Sequence, residues 1–325
     1  MSKEANKSDS DFNIADENNT EFLDDDDVCF AEEQHVVVCP PLQSYGSREN
    51  RALQQAYQPI AGRPLELRHC TDAIAVRKCL VKEFPYATGI IDKMLTPILN
   101  RTSTGRLGVA FEPTLIYGSP GLGKTRFVNR ICSLLGLYTK TVSVAGASDD
   151  LIFGLSKGYS TARASIVTDA VLESMSANPV IILDELEKVN TESRNGNLHH
   201  KLLPLLEKSE ACRWNEPLLS LPVDFSHVSW IFTANDLNGI SPPLRSRIQC
   251  LEIKSPELTH LPLILDKMRS DIAIDQGMDV RWFRGLDLSE MSALQQTYKK
   301  HRSLRILKRQ LEFIVEQQNQ AQSLH

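Results

Sequence analysis

The sequence predicts an α/β fold, in which helices flank a parallel sheet, followed by a smaller domain made only of helices. Five short runs rich in β-forming residues alternate with segments of helical periodicity, a pattern that favours a parallel sheet covered on both faces. These runs are Thr114 to Tyr117, Tyr138 to Val144, Pro179 to Leu183, Val228 to Thr233 and Gln249 to Ile253. Beyond Ser255 the periodicity is helical only, over roughly 257–270, 287–300 and 303–319.

Changes in composition divide the 325 residues into four segments. Residues 1–62 are predicted to form an acidic disordered tail and a linker, because residues 1–35 carry twelve acidic side chains against two lysines. The run Asp24 to Asp27 is interpreted as solvated, with a metal-binding or partner-binding tail as the alternative. The remaining segments are predicted to be a helical lead-in (63–105), the α/β domain (106–255) and the helical domain (256–325).

Charge and cysteine usage exclude several classes of protein. Outside residues 1–35 the chain carries 34 basic and 29 acidic side chains, a surplus too small to indicate a nucleic-acid-binding face. The seven cysteines show no C-x-x-C spacing, and the start of the chain lacks the order of a secretory signal. No uncharged stretch approaches the ~18 apolar residues of a membrane helix. We therefore expect a cytoplasmic protein without a membrane partner, and the charge does not indicate a nucleic-acid partner.

A phosphate-binding loop follows the first predicted strand. Glycines allow backbone N–H groups to point at phosphate oxygens, and the positive end of the next helix adds to the attraction. Lys124 is predicted to reach the β- and γ-phosphates of ATP, and the Thr125 hydroxyl to bind Mg²⁺. The order strand, loop, helix disfavours the alternative of a glycine-rich turn without a ligand. The motif G-x-x-x-x-G-K-[ST] and the next residue are Gly118, Ser119, Pro120, Gly121, Leu122, Gly123, Lys124, Thr125 and Arg126.

Two adjacent carboxylates end a later strand. Val180 to Leu183 is a continuous apolar run, typical of a strand buried on both faces. Asp184 and Glu185 follow at its carboxyl end, where open α/β sheets bind ligands. Asp184 is predicted to hold Mg²⁺, and Glu185 to orient and activate the attacking water. The alternative is a core strand that ends in surface acids.

Further polar residues give weaker signals. The run Trp230 to Ala234 is typical of another buried strand, and the Asn235 amide after it is placed to bind the γ-phosphate or the attacking water. Asn is also a common turn residue, which is the alternative interpretation. The adjacent His199 and His200 are interpreted as structural rather than metal-binding, because neighbouring residues on a helix point in different directions.

With these residues, the chain resembles the AAA+ ATPases, and among them the ATPase module of the Lon proteases. The resemblance covers roughly residues 85–320. Besides the phosphate-binding loop, the segments that support it are Asp184 to Lys188, Trp214 to Pro217, Leu221 to Val228, Thr233 to Asn235 and Ile240 to Arg247. The resemblance implies a P-loop NTPase fold, with five parallel strands beneath a helical lid, and assembly of identical subunits into a ring, usually of six.

The resemblance also implies roles for arginines. Arg247 corresponds to the arginine finger, which would stabilise charge on a γ-phosphate bound to the neighbouring subunit, and Arg245 is the nearby alternative. The segment from Ser303 to Arg309 resembles the sensor-2 helix of the lid, in which Arg305 would contact the γ-phosphate of its own subunit. An ordinary exposed helix arginine is the alternative in each case.

The resemblance finally implies a motor that acts on proteins. Tyr159 occupies the position of the aromatic residue that grips polypeptide in the channel of Lon-type rings, although Ser160-Thr161 departs from the usual apolar-glycine pair. Lon proteases carry their catalytic domain after the lid, and this chain ends twenty residues beyond Arg305, so we expect no intrinsic peptidase. We predict an ATP-dependent protein remodeller or unfoldase. The alternative is a nucleotide-switched regulatory scaffold or DNA-associated loader.

Overall fold

The helices and strands follow the predicted alternation. The computed structural model describes residues 34–42, 55–103, 108–145, 149–156, 161–189, 198–277, 279, 281 and 284–323. The strands are β1 (His35–Val37), β2 (Pro64–Glu66), β3 (Thr114–Tyr117), β4 (Thr139–Ser143), β5 (Val180–Asp184), β6 (Trp214–Glu216), β7 (Leu221–Val223), β8 (Ser229–Ala234) and β9 (Gln249–Glu252). The α-helices are α1 (Ala73–Glu83), α2 (Thr88–Ser103), α3 (Lys124–Leu134), α4 (Asp149–Phe153), α5 (Ile166–Ser174), α6 (Leu198–Leu206), α7 (Lys208–Ala211), α8 (Pro242–Arg245), α9 (Leu261–Asp275), α10 (Leu288–His301) and α11 (Leu304–Ser323).

A five-stranded sheet forms the centre of the α/β domain, in the order β4-β5-β8-β3-β9. All of its neighbouring strands are parallel, as predicted, and the predicted strand bounds are confirmed to within one residue at each end. Because the strands are parallel, the carboxyl ends of β3, β5 and β8 lie at the same edge of the sheet. The strand β8 lies between β5 and β3, and the site described below is built at this edge.

The sheet is covered on both faces by apolar side chains. Alternate residues of a strand point to opposite faces, so Ile181 of β5 packs into one layer with Trp230 and Phe232 of β8, while Ile182 packs into the other with Ile231. All five side chains are almost fully buried. This two-sided burial explains the continuous apolar runs in the sequence and fixes the polar residues to the ends of the strands.

The C-terminal helices α9, α10 and α11 form a core of their own, around Leu265, Leu294, Leu307 and Leu311. The prediction of an all-helical lid after the α/β domain is confirmed. Asp287 caps the start of α10 through a capping box with Glu290, in which each side chain accepts a hydrogen bond from the other residue's backbone N–H. Among the described residues, no helix has the length and apolar character needed to cross a bilayer.

The described parts of the segment expected to be a linker, residues 36–42 and 55–62, pack into the α/β domain. Strand β1 pairs antiparallel with β2, and Val38, Cys39 and Ile60 are almost fully buried in the core of the α/β domain. The apolar run Val36 to Val38 is too short to give a periodic signal, and its burial depends on contacts distant in sequence.

The hairpin of β6 and β7 likewise has only three residues in each strand and was not predicted as strands.

Candidate nucleotide site

The loop between β3 and α3 passes close to two other segments. A Cβ atom added to Gly118 would lie 2.4 Å from the backbone oxygen of Ile253, and one added to Gly121 would lie 2.3 Å from Ser303 Oγ. Gly121 also has a φ angle of 80°, which side-chain-bearing residues rarely adopt. Glycine is therefore required at both positions.

Lys124 lies at the start of α3 and points into the sheet edge. Its Nζ donates to the backbone oxygen of Gly118 at 2.8 Å and to Asn235 Oδ1 at 3.0 Å. Burial lowers the pKa of Lys124, and the carboxylates of Glu187 and Asp184 counteract this effect. Lys124 is thus a partly desolvated ammonium whose present partners are neutral oxygens that an anionic ligand can replace.

Asp184 is held by hydroxyl groups from two neighbouring elements. Thr125 Oγ1 donates to Asp184 Oδ2 at 3.0 Å, and the Thr233 hydroxyl donates to the other carboxylate oxygen. The Thr233 hydroxyl in turn accepts the backbone N–H of Glu185 at 3.4 Å. Thr233 was missed by the sequence analysis, although a hydroxyl within an otherwise apolar strand is a signal that could have found it.

Glu185 leaves the strand in an unusual conformation. Its φ and ψ angles are 63° and 44°, the left-handed region that residues other than glycine rarely adopt. Lys188 Nζ lies 2.5 Å from Glu185 Oε1, and hydrogen bonding to this carboxylate raises the pKa of Lys188. Such strained positions cluster at functional sites, and here the conformation turns Glu185 away from the strand axis and into the cavity edge.

The Asn235 amide joins Lys124 to a third carboxylate. Its Oδ1 accepts from Lys124, and its Nδ2 donates to Glu187 Oε1 at 2.6 Å. Since the amide oxygen must face the ammonium and the amide nitrogen the carboxylate, the two contacts fix the orientation of Asn235. Glu187 was not predicted as a site residue, because an acid two positions beyond a strand is ordinary on a surface.

A cavity of about 390 Å³ brings these side chains together. Its lining consists of Pro120, Gly121, Gly123, Lys124, Thr125, Arg126, Asp184, Glu185, Lys188, Thr233, Ala234, Asn235 and Arg305. Arg305 comes from the helical lid, where the backbone N–H groups of Leu304 and Arg305 donate to the Gly121 oxygen at 3.0 and 3.2 Å. The phosphate-binding loop therefore contacts the lid directly.

A second cavity of about 310 Å³ adjoins the first, since Gly121, Gly123, Arg126 and Arg305 line both. Its apolar lining comes from Phe84, Tyr86, Leu122, Met268 and Leu304. Charged side chains, including Lys308, Arg309 and Glu312, complete the lining. Aromatic and apolar walls next to a phosphate loop suit the flat ring of a nucleobase. Leu122 belongs to the predicted loop, but the sequence analysis missed the other four apolar residues, because they lie in the lead-in and the lid and meet only in the folded chain.

Two predicted site arginines lie in other contacts. Arg126 pairs with Asp271 of α9 and lies over the Phe84 ring, with its guanidinium carbon 5.8 Å from the ring centre. Arg247 is exposed, pairs with Glu207 at 2.8 Å and does not line the cavity of its own chain. Arg245 is also exposed. The candidate channel residue Tyr159 lies outside the residues that the structure describes.

The donor set fits magnesium with a triphosphate. Magnesium in phosphate-transfer sites takes only one or two protein oxygens and completes its shell with water and phosphate oxygens. Thr125 and Asp184 provide such a pair, and the part of the chain that the structure describes has no cluster of three or more His, Cys, Asp or Glu suited to a metal. Thr125 and Asp184 would therefore hold the ion, and Lys124 the phosphates.

Comparisons with known proteins agree with this geometry. Residues 114–255 match the model of the ATPase family associated with various cellular activities (AAA). The peroxisomal Lon protease homolog 2 of Pichia angusta is 34% identical over 140 residues, which are 43% of this chain and 15% of that protein. The Lon protease of Campylobacter jejuni is 33% identical over 141 residues, 43% of this chain and 18% of the relative. The Lon protease of Methanosphaera stadtmanae is 30% identical over 203 residues, which are 62% of this chain and 24% of that protein. The matched segment thus spans less than a quarter of each relative's length.

Proposed function

Because this chain carries an AAA-family domain related to the ATPase region of Lon proteases, we propose that it binds ATP with Mg²⁺ and hydrolyses the terminal phosphate. One observation supports this most directly. Lys124, Thr125, Asp184, Glu185 and Asn235 come from three strand ends and line one cavity. These are the cation, the metal ligands, the base and the polar sensor that phosphoryl transfer requires.

In the proposed reaction, Lys124 exchanges its bonds to Gly118 and Asn235 for bonds to phosphate oxygens. Thr125 and Asp184 would hold the magnesium, which when bound would neutralise charge on the phosphates. Glu185 orients the attacking water and accepts its proton. Asn235, released by Lys124, holds the γ-phosphate or that water in place.

The lid takes part in the same proposal. Arg305 lines the phosphate cavity and would contact the γ-phosphate of its own subunit. The second cavity would hold the adenine ring between Tyr86 and Met268. Since the Gly121 oxygen accepts two hydrogen bonds from the first turn of α11, a change in the loop upon binding would reach the lid. Lid position would then depend on the bound nucleotide.

We further propose that the chain works as a ring, usually of six copies, that remodels or unfolds proteins. Arg247 lies outside its own cavity and is exposed, which favours a role at the site of a neighbouring copy. Stimulation of ATP turnover by an unfolded protein would support remodelling, whereas stimulation by DNA alone would favour the loader. We also predict that the chain has no peptidase activity of its own, and incubation with unfolded casein and ATP tests this. A cytoplasmic location is a further prediction.

Substitution of the proposed base tests the reaction. Glu185→Gln should bind ATP normally in calorimetry but hydrolyse it about 100-fold more slowly, the factor expected for losing a general base. The exposed Glu210 provides a control, since Glu210→Gln should leave turnover unchanged. Turnover near that of the wild type in Glu185→Gln would remove Glu185 from this role.

Mixed assemblies test the action of Arg247 on a neighbour. Arg247→Ala alone should bind ATP as the wild type does and lose most turnover. Mixing it with Glu185→Gln subunits should restore substantial turnover, because an intact base and an intact finger then meet at some interfaces. Mixtures no more active than the two separate variants would contradict action between subunits.

A further inference from the structure

His199 is a fully buried side chain of helix α6 that touches two functional segments. Its Nδ1 lies 3.4 Å from the backbone nitrogen of Ser241, which donates to it. Its Nε2 lies 3.4 Å from the backbone oxygen of Leu186. The ring therefore stands between a backbone donor on one side and a backbone acceptor on the other.

These two contacts determine the protonation of the ring. A backbone N–H can only donate, so Nδ1 must be the unprotonated nitrogen, and the remaining proton lies on Nε2 and is donated to the Leu186 oxygen. Burial lowers the pKa of His199, which favours this neutral form. A neutral imidazole is one of few side chains that can accept at one end and donate at the other across this distance.

The two contacted residues belong to different parts of the proposed machinery. Leu186 directly follows Glu185 and begins the short 3₁₀ turn Leu186–Lys188. Ser241 directly precedes α8, and its oxygen accepts the backbone N–H of Arg245 at 2.9 Å. The Arg247 N–H continues this segment through a bond to the Leu244 oxygen at 3.0 Å. The position of Ser241 thus sets the position of Arg247.

A separate close approach links the same two segments. A Cβ atom on Gly239 would lie only 2.4 Å from the backbone oxygen of Glu187. The chain between Asn235 and Ser241 therefore packs against the turn that carries Glu187. Asn235 also donates to the Glu187 side chain at the start of this passage. The turn after β5 and the segment leading to α8 therefore pack directly on each other, with His199 bonded to both.

We propose that His199 is a positioning residue that couples the Glu185 turn of its own nucleotide site to helix α8, which leads directly to Arg247 and so sets where this arginine meets the neighbouring copy. The proposal rests on the proposed ATPase function. A shift of the turn when the site is filled would pass through the ring of His199 to Ser241 and from there to Arg247. Contiguous hydrogen bonds between two segments that must move together are a physical basis for such coupling.

Substitutions at His199 separate its two contacts. In His199→Gln the side-chain amide can still donate to Leu186 but leaves the Ser241 N–H unpaired. In His199→Asn the shorter amide can still accept from Ser241 and loses the bond to Leu186. His199→Leu loses both. The neighbouring His200 is exposed on the same helix, so His200→Leu is the matched control.

Steady-state ATP turnover is measured for the assembled wild-type chain and for each variant. The temperature is kept below the unfolding temperature of the least stable variant. His199→Leu should lower kcat about tenfold while KM stays within about twofold, because His199 does not line the cavity. The kcat values of His199→Gln and His199→Asn should lie between those of His199→Leu and the wild type. These two variants keep the test valid if His199→Leu does not fold. His200→Leu should match the wild type.

A double-substitution cycle decides whether His199 acts through Arg247. If it does, His199→Leu should cause little further loss of turnover in the Arg247→Ala background. Independent losses that multiply, or a rise in KM equal to the fall in kcat, would overturn the assignment of His199 and leave the ATPase proposal intact. A wild-type chain that neither binds nor hydrolyses ATP would overturn the proposed function, and the role of His199 with it.

Discussion

The nucleotide cavity and the surroundings of Glu216 both gather polar side chains inside the α/β domain, yet they differ in what satisfies them. Glu216 on β6 is fully buried, and its carboxylate accepts the Ser165 N–H at 3.1 Å, the Ser165 hydroxyl at 2.7 Å and the Thr168 hydroxyl at 2.6 Å. In the cavity, Asp184 and Glu185 are partly exposed, and their partners are other members of the site.

The difference separates a structural polar cluster from a functional one. Burial raises the pKa of Glu216, and the hydrogen bonds from Thr168 and Ser165 counteract this effect, so the group depends on permanent donors from its own chain. Those donors lie at the start of α5, which Ser165 caps, and they tie this helix to the β6–β7 hairpin. The partners of Lys124 are instead neutral oxygens at an open edge, which a phosphate can replace.

The largest effect is expected from removal of the cavity's cation. Lys124→Ala should abolish ATP binding in calorimetry, because it removes the ammonium that is placed to reach the β- and γ-phosphates, whereas Arg126 of the same segment pairs with Asp271. Lys140→Ala on β4, where the ammonium pairs with Glu173 at 2.6 Å, is the control and should bind normally. Ordinary ATP affinity in Lys124→Ala would contradict the assignment of the loop.

Removal of Glu216 should lower the stability of the fold and leave ATP binding unchanged. Glu216→Ala leaves the Ser165 N–H and two hydroxyls without their acceptor, and each buried unpaired group is costly, so we expect the free energy of unfolding to fall by about 2 kcal/mol. The KM for ATP should remain unchanged. Glu210→Ala, at an exposed position nearby, should leave stability within about 0.5 kcal/mol in denaturant titration. A Glu216→Ala variant of normal stability with weakened ATP binding would erase the distinction between the two regions.

The sequence was sufficient to predict the elements that depend on local pattern. Parallel strands bring their carboxyl ends to one edge, so a loop motif after β3, acids after β5 and an amide after β8 were expected to meet, and they line one cavity. The lid was also predicted correctly, because its helices are long and periodic.

Features that depend on contacts between distant segments were not predicted. The apolar cavity joins Tyr86 to Met268, which lie far apart in the chain and share no motif. Neither composition nor spacing indicates that Glu187 holds Asn235, or that Glu216 is buried rather than exposed. In each case the decisive quantity is burial in the folded chain, which single-residue polarity does not report.

The smallest expected effect concerns the pairing of the proposed base. Lys188 holds Glu185 at 2.5 Å, and Glu185 must leave this partner to reach the attacking water. The pair is partly exposed, so solvent weakens its attraction, and Lys188→Ala should raise the basal turnover only about twofold. Lys208→Ala, exposed on α7, is the control and should leave turnover unchanged. A clear loss of turnover in Lys188→Ala would instead mean that Lys188 contacts the phosphates, and that the cavity needs this cation in addition to Lys124 and Arg305.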